Sequence, residues 1–399
     1  MRKTSGFFLV LVVLLSTLSS PILLTAHGAS EDGSYFLKST VQYSNTSHNQ
    51  VWNFIEQEED RTISLFMNNN WQTVELVNST FSVEREDYDE DGNSVAVLKF
   101  PNSVLSPRSN LSFTIWYHIT AKPRTIPDIS EDNSSDLGDI PSSLVSEYTR
   151  EEGPWQTNNP TLRQLAVSLK GSETRVLAIV KNFIVWIKEH VSYPKTRHEN
   201  PYYPIETYTK RVGDCDDQAM LLITLCRIVG IPSYLQIGCI YMPTRFRNDT
   251  FWDDHVFLVQ KRIGWHGWAI VYVPPWGWLP VDLTYVPQGF DDPLNAIKHG
   301  AITSQSTIQY KNVTSTDYVA SSVESREFLV QNDFIVYSED EMIEDGNPSS
   351  NPSTATFDPL IFAVPVVFTA SVAVFAFLVF RRLRKRRIQK VSTTPEGLQ

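Results

Sequence analysis

The chain has 399 residues, of which 42% are hydrophobic and 20% charged, and a formal charge of −11. That length holds two or three domains with real cores, and the apolar content is that of a globular protein. Without the two ends, residues 31–380 keep 25 basic and 44 acidic residues, a charge of −19, which makes a poor nucleic-acid binder and a well-solvated exterior.

The N-terminus opens with Arg2 and Lys3, runs apolar from Phe7 to Leu15, and reaches small residues at Ala26, Gly28 and Ala29. That order predicts a signal peptide over residues 1–29. Residues 35–122 are β-rich: Tyr35–Tyr43, Thr62–Phe66, Trp71–Val83, Ser94–Phe100 and Asn110–Thr120 read as strands, so a β-sandwich domain is expected over 30–122. Asp87 to Gly92 mimics the start of a calcium loop, but its twelfth position is Leu98, where a bidentate Glu belongs, so an acidic hairpin turn is expected. Residues 123–160 are polar and rich in Pro, Ser, Asp and Glu, the composition of a linker.

A second folded domain is expected over 161–300. Its first long helix is predicted from Glu173 to Val191, where Val176, Ile179, Val180, Phe183, Ile184 and Ile187 recur at helical spacing. Tyr193-Pro194 ends it. A second helix is predicted from Cys215 to Val229, stopped by Gly230-Ile231-Pro232. Strands follow at Tyr234–Tyr241, His255–Lys261, Trp268–Val273 and Trp278–Leu283. Residues 301–337 form a C-terminal extension, and 338–357 read as an acidic, then Pro/Asn/Ser-rich stalk.

Leu360 to Phe380 is an uncharged stretch of 21 residues. At 1.5 Å per residue it spans roughly 30 Å, one bilayer core, and predicts a C-terminal transmembrane helix over 358–380. The segment Arg381 to Arg387 is basic except at Leu383, so the tail 381–399 is expected in the cytoplasm and the body outside. Six Asn-x-Ser/Thr acceptors, Asn45, Asn78, Asn110, Asn133, Asn248 and Asn312, fall in the body and suit a glycosylated cell-surface protein. The three cysteines are Cys215, Cys226 and Cys239. A Cys226–Cys239 bridge competes with a simpler reading, two buried thiols.

Chemistry concentrates in three segments: Gly213-Asp214-Cys215-Asp216-Asp217-Gln218-Ala219, His266-Gly267-Trp268, and Pro280-Val281-Asp282-Leu283-Thr284. Cys215 at a helix start meets the positive end of the helix dipole, which lowers a thiol pKa, and free backbone N–H groups there can hold an oxyanion. A Pro274-Pro275-Trp276 loop would set Val273 opposite Gly277 and Asp282 opposite Trp268. Asp282 is then diagonal to His266, with Cβ atoms roughly 7–8 Å apart or less. A buried structural cysteine and a packing histidine are the bland alternatives. His255 is a rival base, at the start of its own strand. Metal binding by Cys215, His255 and His266 finds no close Cys-x-x-Cys or His-x-x-x-His pair in support.

Over about residues 173–286 these segments resemble the transglutaminase-like superfamily, with its papain-type thiol core. The resemblance rests on the Cys215 segment with Leu225-Cys226-Arg227 and Gly230-Ile231-Pro232, then His266 to Pro274, then Gly277 to Thr284. The Cys–His–Asp order and the sixteen-residue spacing from His266 to Asp282 match the family. Gly267 and Leu283 depart from it, standing where members often have Ala and Pro.

The resemblance implies an α+β papain/transglutaminase-like core, a helix-borne Cys packed on antiparallel sheet. It implies Cys215 as nucleophile, His266 as general base and acid, and Asp282 as its orienter. His255 falls outside the motif. The chemistry implied is thioester formation on a peptide or amide bond, ending in hydrolysis or crosslinking, with a protein or peptide partner and no cofactor or metal. The β-rich N-terminal region is similar to the sandwiches that precede this core in prokaryotic surface proteins. A non-catalytic surface scaffold is the competing function, and a membrane-coupled sensor a weaker one.

Overall fold

The computed structural model of the chain describes residues 32–195 and 198–346. The signal-like N-terminus, the Leu360–Phe380 stretch and the basic tail lie outside these residues. Among the described residues no helix is long and apolar enough to cross a membrane.

One mixed sheet of eight strands organises the protein. Its strands are β1 (Gly33–Asn45), β2 (Gln72–Ser79), β3 (Ser109–Ala121), β4 (Ser233–Phe251), β5 (Val256–Val273), β6 (Gly277–Val281), β7 (Thr307–Val313) and β8 (Phe334–Glu344). The order across the sheet is β7-β4-β5-β8-β1-β3-β2, with β6 added beside β5. Pairing is antiparallel except between β5 and β8. Helices α1 (Pro160–Lys170), α2 (Val176–His190), α3 (Pro204–Lys210), α4 (Cys215–Ile228) and α5 (Tyr318–Asn332) complete the α+β fold.

Local sequence explains most of these elements. Asn159 caps α1 by accepting from the N–H groups of Thr161 and Leu162, Pro160 opens it, and Gly171 ends it with a positive φ of 54°. In α2 the apolar stripe read from the sequence is buried from Val176 to Ile187. The expected strands at His255–Lys261 and Trp268–Val273 prove to be one strand, β5. It continues past a register shift between Lys261 and Ile263.

Three boundaries differ from the sequence expectation. The N-terminal strands are not a separate sandwich: β1, β3 and β2 continue the same sheet, because β8 slots between β5 and β1. A small sheet of Thr62–Ser64, Ser94–Leu98 and Val83–Tyr88 stands apart from it. Strand patterning tells which face of a strand is buried but not which strand lies beside it.

The region read as a stalk from 338 is, up to Glu344, the strand β8. Its acidic run finds partners across the sheet. Glu339 accepts from Lys261 Nζ at 2.7 Å, Glu341 from Arg262 at 2.5 Å, and the buried Asp340 from Ser39 and Trp265 at 2.5 and 2.9 Å. The stretch read as a linker is packed: Ile129, Ile140 and Trp155 are buried, and Trp155 Nε1 donates to the Thr314 carbonyl at 2.9 Å. Its composition is polar, but a few large apolar residues suffice to dock it.

The acidic hairpin forms as expected and gains a role. Asp91 Oδ1 accepts from the backbone N–H groups of Thr314, Ser315 and Thr316, pinning the hairpin to the end of β7. All three cysteines are buried and free, so Cys226 and Cys239 do not form a bridge. Asn45 is sealed inside, with its Nδ2 donating to the Gln50 and Leu105 carbonyls, so this sequon is closed to a glycan in the folded protein.

Candidate active site

Cys215 is the first residue of α4. Asp214 caps the helix, and the box closes reciprocally, since Asp217 Oδ2 accepts from the Asp214 N–H at 3.1 Å. Cys215 is 3% exposed. The Gly267 N–H is near enough to the Cys215 sulfur to pull its pKa down slightly, and the Tyr193 hydroxyl lies 3.9 Å from that sulfur. The helix start is thus set against β5 at the residue following His266.

The electrostatics differ from the sequence expectation. Burial first, then the carboxylates of Asp214 and Asp216, push the Cys215 thiol well above its ordinary range. The resting thiol is neutral. Burial, with two acids flanking the cysteine in sequence, outweighs what a helix start offers a thiolate.

His266 and Asp282 come together through the hairpin of β5 and β6. Val273 pairs with Gly277 and Ala269 with Val281, the register that a three-residue loop requires. Asp282 follows directly, and His266 Nε2 donates to its Oδ2 at 2.8 Å. That bond fixes the tautomer and leaves Nδ1 as the ring's acceptor. Asp282 also accepts from the backbone N–H groups of Thr284, Tyr285 and Ala301, at 3.0, 2.9 and 3.1 Å. Burial pushes its carboxyl up, but the charge and hydrogen bond of His266 and the backbone donors outweigh it and hold it below the usual carboxylate range. Gly300 lets the chain close over this residue, since a Cβ there would sit 2.8 Å from Asp282 Cβ.

A second pair lies at the cap of α4. His198 Nε2 is 3.0 Å from Asp217 Oδ2, and the His198 ring stacks on Tyr202. Burial lowers the His198 pKa, but the hydrogen bond and charge of Asp217 raise it overall. Asp217 itself is raised by burial, against the pull of His198 and of the Tyr202 N–H. His198, Asp214 and Asp217 have donor atoms within 4.8 Å of one another, the spacing of a metal site. Asp217 is already engaged by Tyr202 N–H at 2.7 Å and by Asp214 N–H, so the cluster acts as a buckle on the helix cap. His255 is remote: its Nδ1 bonds the Trp252 carbonyl, and it precedes the far end of β5, eleven residues from His266, up to roughly 36 Å of strand at ~3.3 Å per residue.

A cleft of about 140 Å³ opens beside His266, and Tyr193, Gln218, Lys188, Arg245, Met242 and Thr284 help line it. Gln218 and Thr284 fall inside the motif segments read from the sequence, without a role there, and sequence pattern marks none of the other four as a site residue. Tyr193 stands out there only as part of a helix stop. Met242 and Arg245 come from an interruption in β4, for which Pro243 inside a strand is the sequence signal.

Residues 163–283 match the family model described as "Transglutaminase-like superfamily". This part of the chain is a transglutaminase-like domain. Among solved structures, a candidate cysteine protease from Cytophaga hutchinsonii aligns at TM-score 0.50 with 14% identity, over 79% of this chain and 91% of that one. The periplasmic domain of TgpA from Pseudomonas aeruginosa (TM-score 0.30, 12% identity, 67% and 92% covered) and red sea bream transglutaminase (0.27, 12%, 64% and 46%) are weaker matches. At these identities the Cytophaga likeness speaks for the fold alone, and the other two carry no argument. No curated protein sequence matches the chain.

Proposed function

We propose that the chain is a thiol enzyme acting on peptide or amide bonds, with Cys215 as nucleophile, His266 as base and acid, and Asp282 as the residue that orients His266. The observation that carries this reading is the junction itself. Cys215 heads α4 with the Gly267 N–H, one residue after His266, near enough to its sulfur to favour the thiolate, while His266 Nε2 is held by Asp282 at 2.8 Å.

The steps follow from the geometry. Because the resting thiol is neutral, the proton leaves as the attack occurs: His266 Nδ1 takes it while sulfur adds to the carbonyl carbon. The backbone N–H groups in the first turn of α4 that the cap leaves over and the Tyr193 hydroxyl are the donors offered to the developing oxyanion. His266 then protonates the departing amine and a thioester remains. Water releases an acid, or a second amine gives a crosslink. An aqueous exterior favours hydrolysis. Asp282 stays ionised throughout, which stabilises the imidazolium between the two proton transfers.

In this reading Leu360–Phe380 anchors the enzyme in the membrane, the catalytic body faces outward towards protein or peptide substrates, and the basic tail is cytoplasmic. Asn78, Asn110, Asn133 and Asn248 are exposed and are the acceptors available to glycans on that face.

The test is the second-order rate of iodoacetamide alkylation at Cys215, separated from Cys226 and Cys239 by peptide mapping. Labelling should climb through the alkaline range and fall about 100-fold in His266→Ala. Labelling that ignores His266, or none at Cys215, leaves a binding scaffold.

A further inference from the structure

Near the start of α4 stands a side chain that the steps above leave unused. Gln218 is three residues after Cys215, and residues three apart on a helix share a face. It is 1% exposed and forms part of the wall of the cleft beside His266. Side chains of an α-helix lean towards its N-terminus. Gln218 follows that rule: its Nε2 reaches back and donates to the Gly213 carbonyl at 2.8 Å, two residues before Cys215.

That bond decides which way the side-chain amide is turned. A carbonyl accepts only from the NH2 end, so the oxygen is the uncommitted end of the Gln218 head group. Gln218 Oε1 is buried and has no hydrogen-bond partner in the protein. An unmatched buried acceptor is costly, and a native fold keeps few of them. Donors around the same cleft are turned elsewhere. Lys188 Nζ donates to the Leu283 carbonyl at 2.8 Å, His266 Nε2 to Asp282 at 2.8 Å, and the Tyr193 hydroxyl lies 3.9 Å from the Cys215 sulfur. A helix brace is the bland role for Gln218, but a brace uses only Nε2 and gives Oε1 nothing to do.

We propose that Gln218 Oε1 accepts the N–H of the bond that Cys215 attacks, so that Gln218 selects amide bonds whose nitrogen carries a hydrogen over esters and over bonds to a proline nitrogen. This rests on the cysteine-enzyme reading above and narrows its substrate class. The acceptor and the base divide the nitrogen between them. Its N–H points to Gln218, and its lone pair, released as the carbonyl carbon becomes tetrahedral, takes the proton from His266. The nitrogen gains positive charge as that proton arrives, the C–N bond breaks, and the amine leaves with both hydrogens. A hydrogen bond strengthens as its donor becomes charged, so the bond to Oε1 favours the transition state over the bound substrate. An ester or a bond to proline brings no N–H and leaves Oε1 unmatched.

The first test needs no variant. Iodoacetamide carries N–H beside its carbonyl and methyl iodoacetate carries none. Their ratio of alkylation rates at Cys215 in the full-length protein, divided by the same ratio for glutathione, cancels intrinsic reactivity and the ionised fraction of the thiol. That quotient should be roughly five- to tenfold, and should drop to within twofold of unity in Gln218→Met. A quotient near unity in the wild type overturns the proposal, whether or not the variant folds. The second test uses acyl chemistry. The probes p-nitroacetanilide and p-nitrophenyl acetate share an acyl group and differ in N–H against O. Gln218→Met should lower kcat/KM roughly tenfold for the anilide and leave it within twofold for the ester. Equal losses on both mean a brace and overturn the proposal. If Cys215 reacts with neither the ester nor the alkylating agents, the enzyme reading fails and this proposal with it. A reactive Cys215 whose ratios ignore Gln218 overturns this proposal alone.

Discussion

Two histidine–aspartate pairs lie close to Cys215, and they are chemically opposite. His266–Asp282 sits on the sheet side, His198–Asp217 at the helix cap. Both carboxylates are buried, and each is approached closely by a glycine: a Cβ on Gly300 would stand 2.8 Å from Asp282 Cβ, and one on Gly213 would stand 2.8 Å from Asp217 Cβ. Yet Asp282 is held below the usual carboxylate range and Asp217 above it. The difference is in the company. Asp282 takes three backbone donors besides His266, whereas Asp217 has Asp216 as a charged neighbour and burial as its largest influence. The residue pair does not define the role; the donors around the carboxylate do.

The sharpest way to break this contrast is to remove each carboxylate. Asp282→Ala should lower amide turnover by about 10³–10⁴-fold, as expected for loss of the residue orienting a base. Asp217→Ala should instead cost about 3 kcal/mol of stability, read as a lower urea midpoint, because His198 loses its partner in a buried pair. If the two substitutions give the same pattern, the assignment of separate roles fails.

The glycines give a smaller, parallel effect. Gly300→Ala and Gly213→Ala should each destabilise by about 1–3 kcal/mol through overpacking. Only Gly300→Ala should also slow turnover, by displacing Asp282. A Gly213→Ala variant that lost turnover as strongly would join the cap to the catalytic geometry.

The pH dependence of stability separates the pairs by sign. Asp282 is depressed in the folded state, so its contribution is present above the unfolded carboxylate value of ~3.9 and lost as pH falls through the lower folded value. His198 is raised, so its contribution is full below the unfolded value of ~6.5 and is lost as pH rises through the higher folded one. Urea titrations across pH should therefore show His198→Asn flattening the slope just above pH ~6.5, and Asp282→Asn flattening the acid limb below pH ~4. The smallest effect belongs to His255→Ala. With its ring bonded to loop carbonyls, it should leave Cys215 alkylation within about twofold and stability within about 0.5 kcal/mol.

Much of the central geometry is legible in the sequence. The apolar stripe of α2 and the loop Pro274-Pro275-Trp276 are local features, and short loops fix register. That is why the residues of the hairpin suffice to set Val273 opposite Gly277 and Asp282 beside His266. Tyr193, Lys188 and Arg245 carry no such signal. Each reaches the site from an element whose sequence reports only its own conformation. His198 is silent for the same reason, since it meets Asp217 across an irregular loop with no periodicity to read.

The sequence by itself determined the helix that begins at Cys215, the hairpin that joins His266 to Asp282, and the strand character of the N-terminal third, because all depend on side-chain pattern and turn chemistry over a few residues. Only the tertiary structure decided that the N-terminal strands extend the same sheet, that an acidic tail segment becomes the strand β8 in its middle, and that the thiol is raised instead of lowered. Strand neighbours and local dielectric are set by residues hundreds of positions apart, and no local pattern carries that information.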